Sequence, residues 1–278
     1  MTAINTYATL AEYKEFAIAR GQSASTDTGD DVVIDQLLEQ ASRYIDSKCS
    51  RWFYPRIEVR YYSVPGVSEL SLDADLLEVI ELLNGEDTEI AAAAYNLLPR
   101  NYSPKYAIEL TDITSVVWES DSSGGTEFVI DLTGVFGFHD RYADGFTTAG
   151  TLGAAMSDTT TASLTMTAGH SVAVGEILRV DNELFIPSAV VTNAVTLVAR
   201  GDNGSTAATH SNGATVEVWQ PMEEARNAVL ETAMSAYKRR FGQSTSNTST
   251  ITGAGVVLTP RDIPALTAEF IAMYRQIV

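Results

Sequence analysis

Cysteine, histidine and basic residues are all scarce in this 278-residue chain. The single cysteine, Cys49, excludes an internal disulfide and any cysteine-based metal cluster. Three histidines, His139, His170 and His210, stand too far apart for a local ligand pair such as His-x-x-x-His. Only 18 Lys and Arg face 36 Asp and Glu, a formal net charge of −18. A general nucleic-acid binder needs a basic surface to displace counterions from phosphates, so that class is disfavoured. An acidic surface can instead repel DNA and let it slide past, although solubility alone also accounts for the charge. No run approaches the roughly 18 apolar residues of a membrane span. The start, MTAINTYATLAEYKEF, lacks the basic flank and apolar run of a signal peptide, so no Sec-type export is expected.

Catalytic motifs are missing as well. There is no Gly-x-Ser-x-Gly, no P-loop and no dinucleotide fingerprint. His139-Asp140 resembles a base with its orienter, but adjacent strand residues point to opposite faces, and the pair reads as a strand end at a polar turn. Asp73 with Asp75, or Asp202 with Asn203, offers too few oxygens for a calcium loop. Arg200-Gly201-Asp202 is read as a chance tripeptide. No catalytic residue, cofactor or metal is expected, and the chain reads as a non-enzyme.

What is present is a globular composition, 45% hydrophobic and 19% charged. Its organising stretch runs from Asp30 to Pro55. Ile34, Leu37, Leu38, Ala41, Ile45 and Cys49 recur at three- and four-residue steps, which predicts one buried helix face over about 28 Å, with Asp30 as its cap. Cys49 then reads as a small buried hydrophobe. The helix ends in Arg51-Trp52-Phe53-Tyr54-Pro55, an aromatic cluster closed by a helix breaker. Before it, Thr9 and Glu12 form a capping-box pattern for a first helix carrying Leu10, Tyr13, Phe16 and Ala17, which Gly21 ends. The polar loop 22–30 predicts that the two helices pack antiparallel.

Beyond Ile57 the period changes. EVRYYS (58–63) is rich in β-formers, and Pro65-Gly66 marks a turn. LSLDADLLEVIELLN fits either period. Asn84-Gly85 offers a tight turn into AAAAYNLLP, predicted as the second arm of a hairpin closed by Pro99. YAIEL (106–110) alternates, and FVIDLTGVFGF (128–138) reads as a strand pair or a bent strand kinked at Gly134 and Gly137.

The helix I-x-x-L-L-x-x-A-x-x-x-I-x-x-x-C followed by R-x-F-Y-P resembles the head–tail connector (adaptor) proteins of tailed bacteriophages. The same order continues in Asp75-Leu76-Leu77, Tyr95 to Pro99 and Gly134 to Phe138. The resemblance implies a structural virion protein at the head–tail junction, present in the host cytoplasm during assembly. It implies a ring of twelve copies under the portal protein, joined to a tail-side neck, stopper or tail-completion protein. Genomic DNA would pass through without specific binding, and no membrane is involved. It also implies that the C-terminal segment reaches the portal and that the turn at Asn84 and Gly85 touches a neighbouring subunit.

Residues 147–219 depart from that pattern. They are rich in Thr, Ala, Val and Gly, and SLTMT, EILRV, ELFIPS, AVTLVAR and TVEVW predict five short strands of a small sandwich or barrel. Arg200-Gly201 through His210-Ser211-Asn212-Gly213-Ala214 resembles small β-modules inserted in phage virion proteins. Helix then returns. Pro221 suits a first helical position, Glu223 and Glu224 the first turn, and Ala225, Val229, Ala233, Ala236 and Tyr237 the buried face. Lys238, Arg239 and Arg240 complement the dipole at its end or contact an acidic partner or DNA backbone, and Gly242 stops it. QSTSNTSTITGAG (243–255) reads as a flexible linker. Thr259, Pro260 and Asp262 open a last helix whose stripe of Ile263, Leu266, Phe270, Met273 and Ile277, with Tyr274 beside it, docks on its own domain or on a neighbour.

The expected fold is therefore α+β: a helical connector domain with β-hairpins from residues 1–146 and 220–278, and an inserted all-β module at 147–219. A rival reading makes the module a receptor- or glycan-binding device, resting on Phe185 and Trp219. A hydrolase using His139 is the other rival.

Overall fold

A computed structural model describes residues 4–21, 28–85, 87–112, 114–241, 250–251, 257–258 and 263–276. The fold is mixed α+β, with helices and antiparallel sheets gathered in two compact units. The first comprises Met1–Arg51, Val174–Glu176 and Pro221–Val278, and the second Trp52–Ala173 and Ile177–Gln220. This division differs from the one expected: the four α-helices among the described residues form one unit, while the first β-region and the 147–219 segment, apart from 174–176, share the other.

In the helical unit, α1 (Leu10–Ala19) starts at the predicted capping box. The Glu12 amide donates to Thr9 Oγ1 at 3.3 Å, and the Glu12 carboxylate accepts from the Thr9 amide at 2.6 Å. Helix α2 (Asp31–Cys49) buries the whole predicted stripe, from Ile34 to Cys49. Asp30 occupies the N-cap position but makes no capping bond. Its carboxylate instead accepts from the Tyr237 hydroxyl at 2.5 Å, tying the start of α2 to the end of α3 (Glu223–Arg240). Ser42 and Asp46 share the buried face of α2 with the apolar residues. They are buried because the chain before α1 lies on them: the Tyr7 amide donates to Ser42 Oγ at 3.2 Å and the Tyr7 hydroxyl to Asp46.

Helix α3 starts two residues after Pro221, so that proline precedes the helix rather than opening it. Glu223 and Glu224 fill its first turn and Lys238, Arg239 and Arg240 its last, as the dipole favours. Its buried face includes Ala225, Ala228, Val229 and Ala233, but Ala236 and Tyr237 are only half-buried. Helix α4 (Ala265–Tyr274) packs on α2 and α3. Thr267 sits at this contact, its hydroxyl donating to the Ala228 carbonyl at 3.1 Å. The Gln276 amide donates to the Cys49 carbonyl at 2.8 Å, which fixes the end of α4 to α2. Residues 22–27, Gly242, 243–249, 252–256, 259–262 and Ile277 lie outside the described residues, and with them the expected loop, linker and helix-opening signals. Thr250–Ile251, in the expected linker, pairs antiparallel with Val257–Leu258 beyond its end.

In the second unit, the ambiguous stretch resolves as a long strand. The strands are β1 (Arg56–Tyr62), β2 (Glu69–Asn84), β3 (Thr88–Glu89), β4 (Tyr95–Leu98), β5 (Lys105–Leu110) and β6 (Ile130–Phe136). They form one antiparallel sheet in the order β1-β6-β2-β5-β4, with β3 folded back on β2. Leu70, Leu76, Leu82, Ile108, Ile130, Leu132 and Phe136 fill its core. One correction follows. The return after Asn84 is the short β3, whereas Ala92–Ala94 is a 3₁₀ turn, and β4 beyond it pairs with β5, not with β2. Of the two readings of FVIDLTGVFGF, the single strand holds, as β6.

The glycines in and just after β6 are explained by close approach. A Cβ on Gly134 would lie 2.7 Å from the Glu78 carbonyl, where β2 bulges past β6. Gly137 has φ +147, and a Cβ there would lie 2.5 Å from the Tyr54 carbonyl.

The 147–219 region contains more strands than the five expected. They are β7 (Phe146–Thr151), β8 (Ser163–Thr165), β9 (Leu178–Val180), β10 (Glu183–Phe185), β11 (Pro187–Val191), β12 (Ala194–Leu197) and β13 (Thr215–Trp219). ELFIPS splits at Ile186, giving one strand to the sheet β10-β9-β13-β7 and one to the sheet β11-β12-β8. Both sheets contribute to one core that includes Leu164, Leu178, Val180, Phe185, Val195, Val216 and Val218. The Arg179 guanidinium joins β9 to β2, donating to both Glu78 oxygens at 2.8 and 3.0 Å.

Gly137→Ala places a methyl group against backbone that cannot rotate away. It is expected to cost about 1–3 kcal/mol, read as a lowered denaturation midpoint in urea with unchanged slope.

Candidate functional site

The predicted interaction residues divide between the two units. In the helical unit, the α4 stripe does not face one way. Phe270 is buried and stacks on Tyr274 with ring centroids 4.7 Å apart, and Ile263 and Tyr274 are half-buried. Leu266 and Met273, seven residues and nearly two turns apart, point outward and are 54% and 72% exposed. With Phe16 and Ala228 they line an apolar groove of about 250 Å³. Its rim carries Glu224, Glu231 and Glu269, and only Glu231 has a basic partner among the described residues, Arg20 at 2.5 Å. Arg20 also stacks over Phe16 at 3.7 Å.

Lys238 is half-buried, while Arg239 and Arg240 are exposed and make no ion pair or hydrogen bond among the described residues. They complement the α3 carbonyl end and remain available to an acidic surface.

Asn84 and Gly85 are different. Asn84 is 2% exposed; its amide donates to the Val117 carbonyl at 2.7 Å and its Oδ1 accepts from the Glu119 amide at 2.9 Å. A Cβ on Gly85 would lie 3.1 Å from Ser120 O. Segment 117–120 of the same chain thus covers the turn, and the Asn84 side chain is spent on holding it. Sequence alone could not reveal this, because the partner lies 33 to 35 residues away.

The inserted strands contain a buried charged network that the sequence reading missed. Glu183 is fully buried at the start of β10. Its carboxylate accepts from Arg200 Nε and Nη2 at 2.8 and 3.0 Å, from the Gly201 and Ala208 amides at 3.0 and 2.8 Å, and from His210 Nε2 at 2.9 Å. His210 Nδ1 lies 2.8 Å from Asp181. Burial pushes the Glu183 carboxyl up, but Arg200, the amides and His210 outweigh it and hold the group below its ordinary value. The spacing of Arg200 and His210 therefore serves one carboxylate that pins both ends of the 200–210 loop. Because the Arg200 side chain is 5% exposed, Arg200-Gly201-Asp202 is not displayed for recognition. Asp202 accepts from the Ile186 amide at 3.0 Å, and burial raises its pKa.

The other histidines also brace loops. His139 Nδ1 accepts from the Arg141 amide at 3.0 Å, and Nε2 faces the Gln220 carbonyl at 3.2 Å. Burial pushes its pKa down, and its ring packs edge-on to Trp219. With both ring nitrogens occupied, His139 has no free nitrogen to act as a base in this conformation. His170 repeats the pattern with the Val172 amide and the Thr192 carbonyl. Among the described residues no group of three His, Cys, Asp or Glu is arranged to hold a metal ion. Asp73 is occupied by Tyr62 and Arg60 at 2.8 and 3.1 Å. Phe185 and Trp219 are both buried, leaving the module without the exposed aromatics that sugar stacking requires. A cavity of about 460 Å³ between Pro65–Ser68 and Leu110–Trp118 has Asp112 as the one ionisable group in its described lining, too little for paired acid–base chemistry.

No helix among the described residues is long and apolar enough to cross a membrane. No protein-family model matches the chain, and no curated protein matches it in sequence.

Two outcomes are expected. Glu183→Gln leaves Arg200 without its counter-charge and should lose about 3–5 kcal/mol in equilibrium unfolding. The folded carboxyl ionises below its ordinary 4.5, so its stabilisation is full above about pH 4.5 and is lost as pH falls through the lower folded value. The melting temperature of the variant should accordingly fall less between pH 5 and pH 3 than that of the parent chain. Burial, with Asp46 nearby, pushes the Cys49 thiol up to about 11. A thiol reagent at pH 8 should leave Cys49 unmodified in the folded chain and label it fully in denaturant.

Proposed function

We propose that this chain is a structural virion protein, a head–tail connector that forms a ring below the portal of a tailed-phage capsid and extends the DNA channel toward the tail. The observation that carries this reading is the convergence of three of the four sequence motifs that suggested it. The aromatic cluster after α2, the Asp75-Leu76-Leu77 stretch and the Gly134–Phe138 run are separated by some 20 and 60 residues, yet they meet at one place. The Phe138 amide donates to the Trp52 carbonyl at 2.6 Å, and the Phe53 and Phe138 rings pack edge-on at 5.7 Å. The Gly137 amide donates to the Asp75 carbonyl at 2.9 Å. Three motifs that were loose one by one thus meet at one junction, while the fourth, Tyr95 to Pro99, pairs with β5.

The mechanism is geometry and charge rather than bond chemistry. A net charge of −18 disfavours sticking of DNA to the channel wall, so the duplex can slide. The portal on one side and a tail-side neck or completion protein on the other are the partners of such a ring. The insert, held to the first sheet by the Arg179–Glu78 pair, would be carried as a rigid extension.

Electron microscopy of particles made with this gene disrupted tests the reading. DNA-filled or leaking heads lying apart from finished tails are expected. Whole, tailed particles that fail to adsorb would move the function to the β-module, and fully infectious particles would sink the proposal.

A further inference from the structure

Lys238-Arg239-Arg240 is the only place in the sequence where basic residues are adjacent, on a chain with twice as many acids as bases. Phe241 follows at once, 42% exposed, one face of its ring against Tyr237. A basic cluster beside an exposed aromatic fits an apolar groove with an acidic rim. The groove between α1, α3 and α4 is such a surface: Leu266 and Met273 expose their side chains there, and Glu224 and Glu269 have no partner among the described residues.

Both features belong to α3, yet they cannot meet within one copy. Ala228, in the groove, and Phe241 are 13 residues apart, about 20 Å along a straight helix. One copy can reach only the groove of another. The two surfaces are different, so contacts made head-to-tail leave one free groove at one end of the assembly and one free basic end at the other until a ring closes.

We propose that Phe241 of one copy seats in the α1/α3/α4 groove of the next, with Arg239 and Arg240 paired to that copy's Glu224 and Glu269. The contact itself stands on the groove, the exposure and the charges. It rests on the connector reading only for where the resulting ring would sit.

Sedimentation velocity of the full chain over a concentration series tests it with two charge-reversed variants. One carries Arg239→Glu and Arg240→Glu, the other Glu224→Lys and Glu269→Lys. The parent chain should self-associate, more weakly as salt rises. Each variant alone should associate at least about tenfold more weakly, because like charges then face each other at every contact. An equimolar mixture should recover association, since each variant's altered surface complements the other's, and a merely misfolded variant could not do this. Phe241→Ser should weaken association without being rescued by either. A parent chain that stays monomeric, variants that associate like the parent, or a mixture that does not recover would each overturn the proposal. If the parent associates and the variants do so equally, the ring survives and only this contact fails. If the contact holds but gene disruption leaves infectious particles, the connector reading fails and the contact stands.

Discussion

Strand β6 is the element on which the β unit depends. It lies between β1 and β2, pairs antiparallel with both, and is buried along most of its length. Its apolar side chains Ile130, Leu132 and Phe136 enter the sheet's core, and the glycines in and just after it let neighbouring backbone come closer than any side chain would permit. Gly134 accommodates the bulge of β2, and Gly137 the backbone at Tyr54. The strand is closed at its far end by the Phe138–Trp52 backbone bond, so the aromatic cluster that follows α2 is anchored by residues some 80 positions later. That long-range closure turns a set of short, individually ambiguous segments into one sheet.

A second constraint is the handling of charge. An acidic chain of this composition can leave most carboxylates in water at little cost, but among the described residues Asp46, Asp75 and Glu183 are buried and Glu78 is half-buried, and three of these four show their donors plainly. Glu183 receives Arg200, His210 and two amides; Glu78 receives both arms of Arg179 and the Tyr142 hydroxyl; Asp46 receives Tyr7 and Arg43. A buried charge without such partners would cost several kcal/mol, so these residues specify which loops lie against which strands. The histidines act in the same way, with ring nitrogens committed to backbone groups or carboxylates. The polar groups named here are committed to structure, and the apolar groove and the basic end of α3 are among the surfaces that the described residues leave open to partners.

Helix α4 shows how a correct pattern can mislead about burial. Its apolar residues do recur along the helix, but it meets the rest of the unit along a narrow line defined by Thr267 and Phe270. The threonine, not the leucine, faces α3, because the small Ala228 opposite exposes a carbonyl that a hydroxyl can reach. Leu266 and Met273 are left outside. Periodicity marks the face that needs a partner, but not whether the chain itself supplies it.

Local chemistry determined much of this protein before folding is considered. The capping box at Thr9 and Glu12, the buried stripe from Ile34 to Cys49, the charged ends of α3, the β-forming residues of β1 and the alternation in β5 depend on neighbours within one or two turns, whose spacing is written directly in the chain. The tertiary structure alone decided that Asp30 binds Tyr237 instead of capping α2, that Asn84 holds Val117 and Glu119, that ELFIPS divides between two sheets, and that Glu183 gathers Arg200 and His210. Each of those outcomes joins residues far apart in the chain. A side chain with several acceptable hydrogen-bond partners takes the one that folding brings within 3 Å, and no local pattern encodes which that will be.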